Sequence, residues 1–227
     1  MNRLAAMYEK RDGQLDRVLT DKQMNELLSS SGDSVASFYQ GHDYRAENLA
    51  RFFTLAGVQR VPLKAQESRL LALLVEAAVL QPNGGMAYGA VGLQAVISYT
   101  AIQPDDPATA ADEAIDAVRR ESVLLHEVSH GEFFTNAAYR AHCWEFWRQR
   151  LTEAERQKFR RYLDGLGYNA ADEELMVNEA QANLMHTPDP RAFNAKALGV
   201  TELELEGLRV RFRRELGSGS ISAAPGR

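Results

Sequence analysis

Apolar residues recur at three- and four-residue spacing in segments of this 227-residue chain, such as residues 15–28 and 44–55, as they do in helices that bury one face. Prolines and turn-forming residues divide the pattern into segments. A mainly helical fold follows. The predicted helices cover residues 15–28, 44–55, 64–80, 108–134, 137–151, 152–167, 172–186 and 201–216.

One stretch, MAYGAVGLQAVISYT at residues 86–100, has a different pattern. It contains two glycines and several β-branched residues, and apolar side chains alternate between Leu93 and Tyr99. These features favour β structure, such as a short hairpin. The expected fold class is therefore mainly α with a small β-sheet, an α+β fold.

The composition, 45% hydrophobic and 25% charged, is that of an ordinary globular protein. Residues 1–216 are expected to form a single domain with a helical N-terminal part over residues 1–82. Residues 217–227, rich in glycine and serine, are expected to be a flexible tail. Cys143 is the only cysteine, so no intramolecular disulfide can form.

Charge and hydropathy limit the partners. A net charge of -5 gives no reason to expect binding to nucleic acid or to an anionic membrane. The longest apolar run, residues 70–80, contains Glu76 and is too short to span a bilayer, so no membrane insertion is expected. The first residues lack the apolar run of a secretory signal. The chain as given is expected to be cytoplasmic, or periplasmic or secreted if a leader was removed.

The stretch SVLLHEVSHGEFFTN, residues 122–136, contains the pattern H-E-x-x-H. On a helix, His126 and His130 lie one turn apart on the same face and can bind one cation. Zn²⁺ held by three protein ligands keeps a fourth position for water, whose pKa falls to about 7. Glu127, about 100° around the helix, could take the proton of that water without being a ligand. The alternative is a pair of histidines with no metal, in the core or on the surface.

A third ligand has to come from elsewhere in the chain. No histidine follows at the H-x-x-G-x-x-H spacing, and Glu132 points to another side of the helix. Glu179, separated from His130 by 48 residues, lies in the apolar stretch DEELMVNEAQANLMH. A glutamate in such surroundings costs free energy unless it is paired or bound to a cation. Glu173 and Glu174 are the alternative third ligands.

HEVSH followed by NEAQAN resembles the gluzincin metallopeptidases, the thermolysin-like group whose second motif reads N-E-x-x-x-D. The resemblance implies one Zn²⁺ per chain, held by His126, His130 and Glu179, with Glu127 as general base. Asn183 stands where the family has an aspartate, and is expected to brace a ligand histidine by a hydrogen bond. The spacer between the motifs is longer than in the thermolysin type, so no subfamily is identified.

Zincin folds, as the resemblance implies, place an edge strand upstream of the metal helix, and an extended substrate pairs with that strand. Leu93 to Tyr99 is the suspected segment, with a hairpin that makes no substrate contact as the alternative. The developing oxyanion needs a hydrogen-bond donor besides the metal. The candidates are His186, Tyr168, Tyr139, Tyr99 and Tyr88, with His186 favoured because it shares the helix face of Glu179.

The sequence therefore predicts a zinc-dependent metallohydrolase, with peptides or proteins as the substrates. Two alternatives use the same residues. One is a catalytically silent regulatory or binding protein with a zincin fold, and the other is a hydrolase of non-peptide amides.

Overall fold

The computed structural model describes residues 1–10, 15–32, 34, 38–105 and 114–214. Its helices are α1 (Asn2–Tyr8), α2 (Asp21–Ser31), α3 (Ala46–Val58), α4 (Ala65–Glu76), α5 (Ala117–Thr135), α6 (Ala137–Glu145), α7 (Glu153–Gly165), α8 (Glu173–His186), α9 (Ala195–Leu198) and α10 (Glu202–Arg213). A π-helical turn, Phe146–Arg150, continues α6. The strands are β1 (Gly41–Arg45), β2 (Leu80–Pro82), β3 (Tyr88–Ala90) and β4 (Ala95–Tyr99). The predicted class, mainly α with a small β part, is confirmed.

The β part differs from the expected hairpin. β3 and β4 do not pair with each other: β4 pairs antiparallel with β1, and β3 pairs antiparallel with β2. β1 overlaps the start of the segment predicted as helix at residues 44–55, and β2 overlaps the end of the one predicted at residues 64–80. Each sheet joins segments that are separated in sequence, and a local pattern does not reveal which segments pair.

Several helix boundaries were predicted wrongly because the capping residue was missed. α2 begins after Thr20, whose side chain accepts a hydrogen bond from the Gln23 backbone in a capping box, so residues 15–20 are not helical. α5 begins after Asp116, whose carboxylate accepts from the Arg119 backbone at 2.8 Å. Residues 108–113 of the predicted helix, and the tail 217–227, lie outside the described residues. The short helices α1 and α9 were not predicted.

Helix α5 connects the two main hydrophobic clusters of the described chain. One cluster is built around α3, α4 and the strands, and the other is built around α6 to α10 and includes Trp147 and Phe159. α5 packs against β1 and β4 on one side and against α6 and α8 on the other. The residues of α5 can therefore meet side chains from β1 and α8. Within the described residues, no helix combines the length and the apolar character needed to cross a bilayer.

Candidate metal centre

The structure brings His126, His130 and Glu179 together. Both histidines lie on α5 with their ring centroids 4.6 Å apart, and α8 presents Glu179 to them. His126 Nε2 is 3.5 Å from Glu179 Oε2, and His130 Nε2 is 3.6 Å from Glu179 Oε1. The three side chains thus offer two imidazole nitrogens and a carboxylate to one point, where they could hold a metal ion.

These separations suit a cation better than hydrogen bonds, because N–H···O bonds are about 2.7–3.2 Å long. A tetrahedral Zn²⁺ with ligand bonds of about 2.0–2.1 Å separates its ligand atoms by roughly 3.3–3.4 Å. Two imidazoles and a carboxylate are also a donor set that Zn²⁺ accepts. The residues present therefore fit zinc by donor type and by spacing.

The orientation of His126 is fixed by Thr187, the residue that follows α8. His126 Nδ1 lies 2.7 Å from Thr187 Oγ1, and that hydroxyl donates its proton to the Ala182 carbonyl at 3.0 Å. With its one hydrogen engaged, the hydroxyl can only accept from Nδ1–H of the imidazole. Nε2 of His126 then carries the lone pair that faces Glu179. Thr187 lies outside both sequence motifs, and no pattern in the sequence singled it out.

His130 is 1% exposed, and burial lowers its pKa to about 4. The imidazole is therefore neutral at pH 7, as a metal ligand must be. Its Nδ1 atom is buried without a hydrogen-bond partner within the described residues. Asp43 Oδ2, on β1, lies 3.9 Å from it.

Glu127 lies beside the three candidate ligands and is also buried, with 6% of its surface exposed. Burial, and next the charges of Glu179 and Glu9, raise its pKa well above the ordinary value. Its Oε2 atom has no hydrogen-bond partner within the described chain. The backbone of Gly41 approaches so closely that a Cβ atom built there would overlap the Glu127 carboxylate. The absence of a side chain at Gly41 thus leaves room for that carboxylate.

A cavity of about 370 Å³ reaches this group from the surface. His126 and Glu127 line it, whereas His130 and Glu179 are among its buried neighbours and do not. A substrate in the cavity would meet the general-base candidate and one histidine.

The suspected substrate strand is not at this cavity. None of residues 93–99 lines it, whereas Gly41, the first residue of β1, and Gln40 before it do. β4 pairs with β1 so that Gly41 faces Tyr99, and it is β1 that approaches Glu127. Periodicity located a strand at Ala95–Tyr99, and substrate pairing along Leu93 to Tyr99 stays a prediction.

The candidate oxyanion donors separate in the structure. Tyr168 lines the cavity, and burial followed by the charge of Glu179 raises its pKa well above the ordinary value, so its hydroxyl keeps its proton. His186 does not line the cavity: its Nε2 is 3.0 Å from the hydroxyl of Tyr139, which donates to Gln181 Oε1 at 2.6 Å. Tyr139, Tyr99 and Tyr88 are not lining residues either. Two tyrosines that the sequence analysis missed, Tyr39 and Tyr162, do line it.

Asn183 contacts Glu179 and not a histidine. Its Nδ2 donates to the Glu179 carbonyl at 2.9 Å and to Glu179 Oε2 at 3.3 Å, one helical turn earlier. Its Oδ1 accepts from the Tyr162 hydroxyl at 3.2 Å. The expected bracing of a histidine by Asn183 is replaced by bracing of the carboxylate, since a short amide on α8 reaches its own helix first.

The alternative third ligands point elsewhere. Glu173 faces Trp147 and Arg160, with Arg160 Nη2 at 3.5 Å. Glu174 pairs with Arg45 and Arg140. Glu179 is the glutamate of α8 whose carboxylate the structure places between the two histidines.

Compared with protein-family models, with curated proteins and with solved structures, the chain gives no significant match. The resemblance to gluzincins therefore rests on two short motifs, residues 126–130 and 178–183. In the structure, residues of both motifs converge on one point.

Proposed function

We propose that this protein is a zinc-dependent metallohydrolase with a zincin-like fold, and that it cleaves peptide bonds. One observation carries the proposal: His126 and His130 from one motif and Glu179 from the other lie within ligand distance of one another, with Glu127 beside them at a cavity. If the two short motifs matched by chance, there would be no reason for their side chains to lie together in the structure.

The roles follow from the positions. His126 Nε2, His130 Nε2 and the Glu179 carboxylate would hold Zn²⁺, which when bound supplies Lewis-acid chemistry and a water of pKa about 7. Glu127 would accept the proton of the attacking water and return it to the leaving amine. A nearby divalent cation favours the ionised form of Glu127, which opposes the effect of burial on its pKa. Tyr168, at the cavity with its proton in place, is the proposed donor to the developing oxyanion.

Metal analysis and a peptide-library digest test the proposal. The purified protein is expected to contain about one zinc per chain and to cleave a diverse peptide library, as read by mass spectrometry. Chelation should abolish cleavage and added zinc should restore it. Zinc without cleavage would favour a regulatory or binding protein, and protein that binds no zinc would contradict the proposal.

Gly41→Ala tests whether the close approach of β1 holds Glu127 in place. Because a Cβ atom would overlap the carboxylate, Glu127 has to move, and a displacement of about 1 Å can cost roughly 10²-fold in turnover. We expect kcat to fall by about that factor while zinc content is unchanged, measured on one library-derived peptide. Gly207→Ala is the matched control, since a Cβ there meets nothing within 4 Å. Full turnover in Gly41→Ala would show that the contact does not position Glu127.

A further inference from the structure

The second nitrogen of His130 lacks a partner that its proposed role requires. An imidazole that binds a cation through Nε2 carries its hydrogen on Nδ1, and a buried N–H group nearly always has an acceptor. His130 is 1% exposed, and no hydrogen bond to its Nδ1 is formed within the described part of the chain. The Nδ1–H group of His130 therefore needs a hydrogen-bond acceptor when Nε2 binds a cation.

We infer that Asp43 is the positioning residue of the proposed metal centre, and that it accepts the Nδ1–H hydrogen bond of His130 when Nε2 holds zinc. The inference rests on the proposed function and names a residue outside both sequence motifs. Asp43 Oδ2 is 3.9 Å from His130 Nδ1, so a shift of about 1 Å makes a hydrogen bond. β1, which carries Asp43, packs directly on α5, which carries His130.

The other two proposed ligands, His126 and Glu179, are held by neutral side chains and not by a carboxylate. Thr187, a neutral hydroxyl, takes the Nδ1–H of His126, and Asn183 holds Glu179. Within the described residues, Asp43 supplies the one carboxylate oxygen found within 4.0 Å of Nδ1 of either histidine. Asn178 is a second group close to His130, and its Oδ1 also accepts from Gln181 Nε2 at 3.4 Å, but a neutral amide supplies no charge. Burial, and next the charges of Glu127 and Glu9, raise the pKa of Asp43 well above its ordinary value, and a divalent cation bound at His130 would oppose that shift. Asp43 is thus the carboxyl group placed to give a ligand imidazole a charged acceptor when zinc is bound, which raises the basicity of the imidazole toward the metal.

Asp43 lies on the side of His130 away from the cavity that reaches Glu127. It lines a separate cavity of about 330 Å³, together with Glu9 and Asn178, and this cavity shares no lining residue with the one that reaches Glu127. A substrate in the first cavity would not touch Asp43. Replacing Asp43 should therefore change metal binding, with the substrate KM unaffected at saturating zinc.

Asp43→Asn keeps the size of the side chain and removes its charge, and Asp43→Ala removes the acceptor. We expect zinc affinity to fall by about 10- to 100-fold in Asp43→Asn, and at least as far in Asp43→Ala. Affinity is measured by competition with a chromophoric chelator, and the Co²⁺-substituted proteins should differ from wild type in their d–d absorption spectra. Asp16→Asn, on an exposed aspartate, is the matched control and should bind zinc as wild type does.

Circular dichroism of the metal-free proteins establishes whether each variant is folded. If Asp43→Ala is unfolded, the zinc affinity of Asp43→Asn alone tests the inference. Zinc affinity and a Co²⁺ spectrum equal to wild type in Asp43→Asn would overturn the inference. A wild-type protein that binds no zinc would instead overturn the proposed function, so the two failures are distinguishable.

Discussion

Replacing Glu127 with glutamine is expected to leave zinc bound and to reduce peptide hydrolysis by roughly 10²–10⁴-fold, the range that a positioned general base contributes. Glutamine has nearly the same shape as glutamate and cannot take a proton from water at neutral pH. Because Glu127 lies at the cavity and beside the three candidate ligands, the change removes proton transfer and keeps the metal. Zinc content by mass spectrometry and initial rates on one library-derived peptide measure the two effects separately.

Glu121→Gln is the matched control for this experiment, since it makes the same change on an exposed residue of α5. Its zinc content and rate should equal those of wild type. Hydrolysis by Glu127→Gln at the wild-type rate would remove Glu127 from the mechanism. Loss of zinc in Glu127→Gln would indicate that this carboxylate is itself a ligand. The site would then be reassigned to Asp43, Glu127 and His130, a second group whose ligand atoms lie within 4.8 Å of one another.

Replacing Glu179 with alanine is expected to abolish stoichiometric zinc binding and, with it, hydrolysis. Two histidines remain, and a protein zinc site ordinarily needs three ligands or more. Thermal unfolding gives a second measurement: zinc at about 100 times its dissociation constant stabilises a binding protein by about 2.7 kcal/mol. Wild type should therefore unfold at a higher temperature with zinc than without it, and Glu179→Ala should not.

Glu173→Ala is the control for the Glu179 experiment and also tests an alternative ligand. Glu173 belongs to the same helix, is half-exposed, and faces Arg160. It should keep both the zinc and the zinc-dependent stabilisation. Retention of zinc by Glu179→Ala would show that Glu179 is not the third ligand. Loss of zinc from Glu173→Ala would then identify Glu173 as that ligand.

The two experiments together discriminate among the functions that these residues allow. An active peptidase loses turnover in both variants but loses zinc in only one. A zincin-fold binding protein shows the same zinc results with no cleavage of the peptide library by wild type. A hydrolase of non-peptide amides would also give the same zinc results, and it would be identified by its cleavage of amide substrates outside the peptide library.

Parts of the fold that depend on neighbouring residues were accessible from the sequence. α8 was predicted as residues 172–186 and spans Glu173–His186, because Asp172 caps its start and prolines follow its end. The capping box of Thr152 and Glu155 likewise set the start of α7. β1 was missed because its partner, β4, lies some 50 residues further along the chain. Without that partner, GHDYR has no alternation strong enough to separate it from the helix that follows.

Some features of the candidate site were likewise accessible from the sequence, and others depended on tertiary contacts. The sequence by itself determined that His126 and His130 share one helix face with Glu127 beside them, since a four-residue spacing on a helix fixes that arrangement. It also supplied Glu179 as a candidate, through the unfavourable free energy of an unpaired carboxylate in an apolar helix. Only the tertiary structure decided that α8 meets α5, that Thr187 orients His126, and that Gly41 and Asp43 on β1 reach the same group. Those contacts depend on how distant segments pack, and no spacing within a segment encodes them.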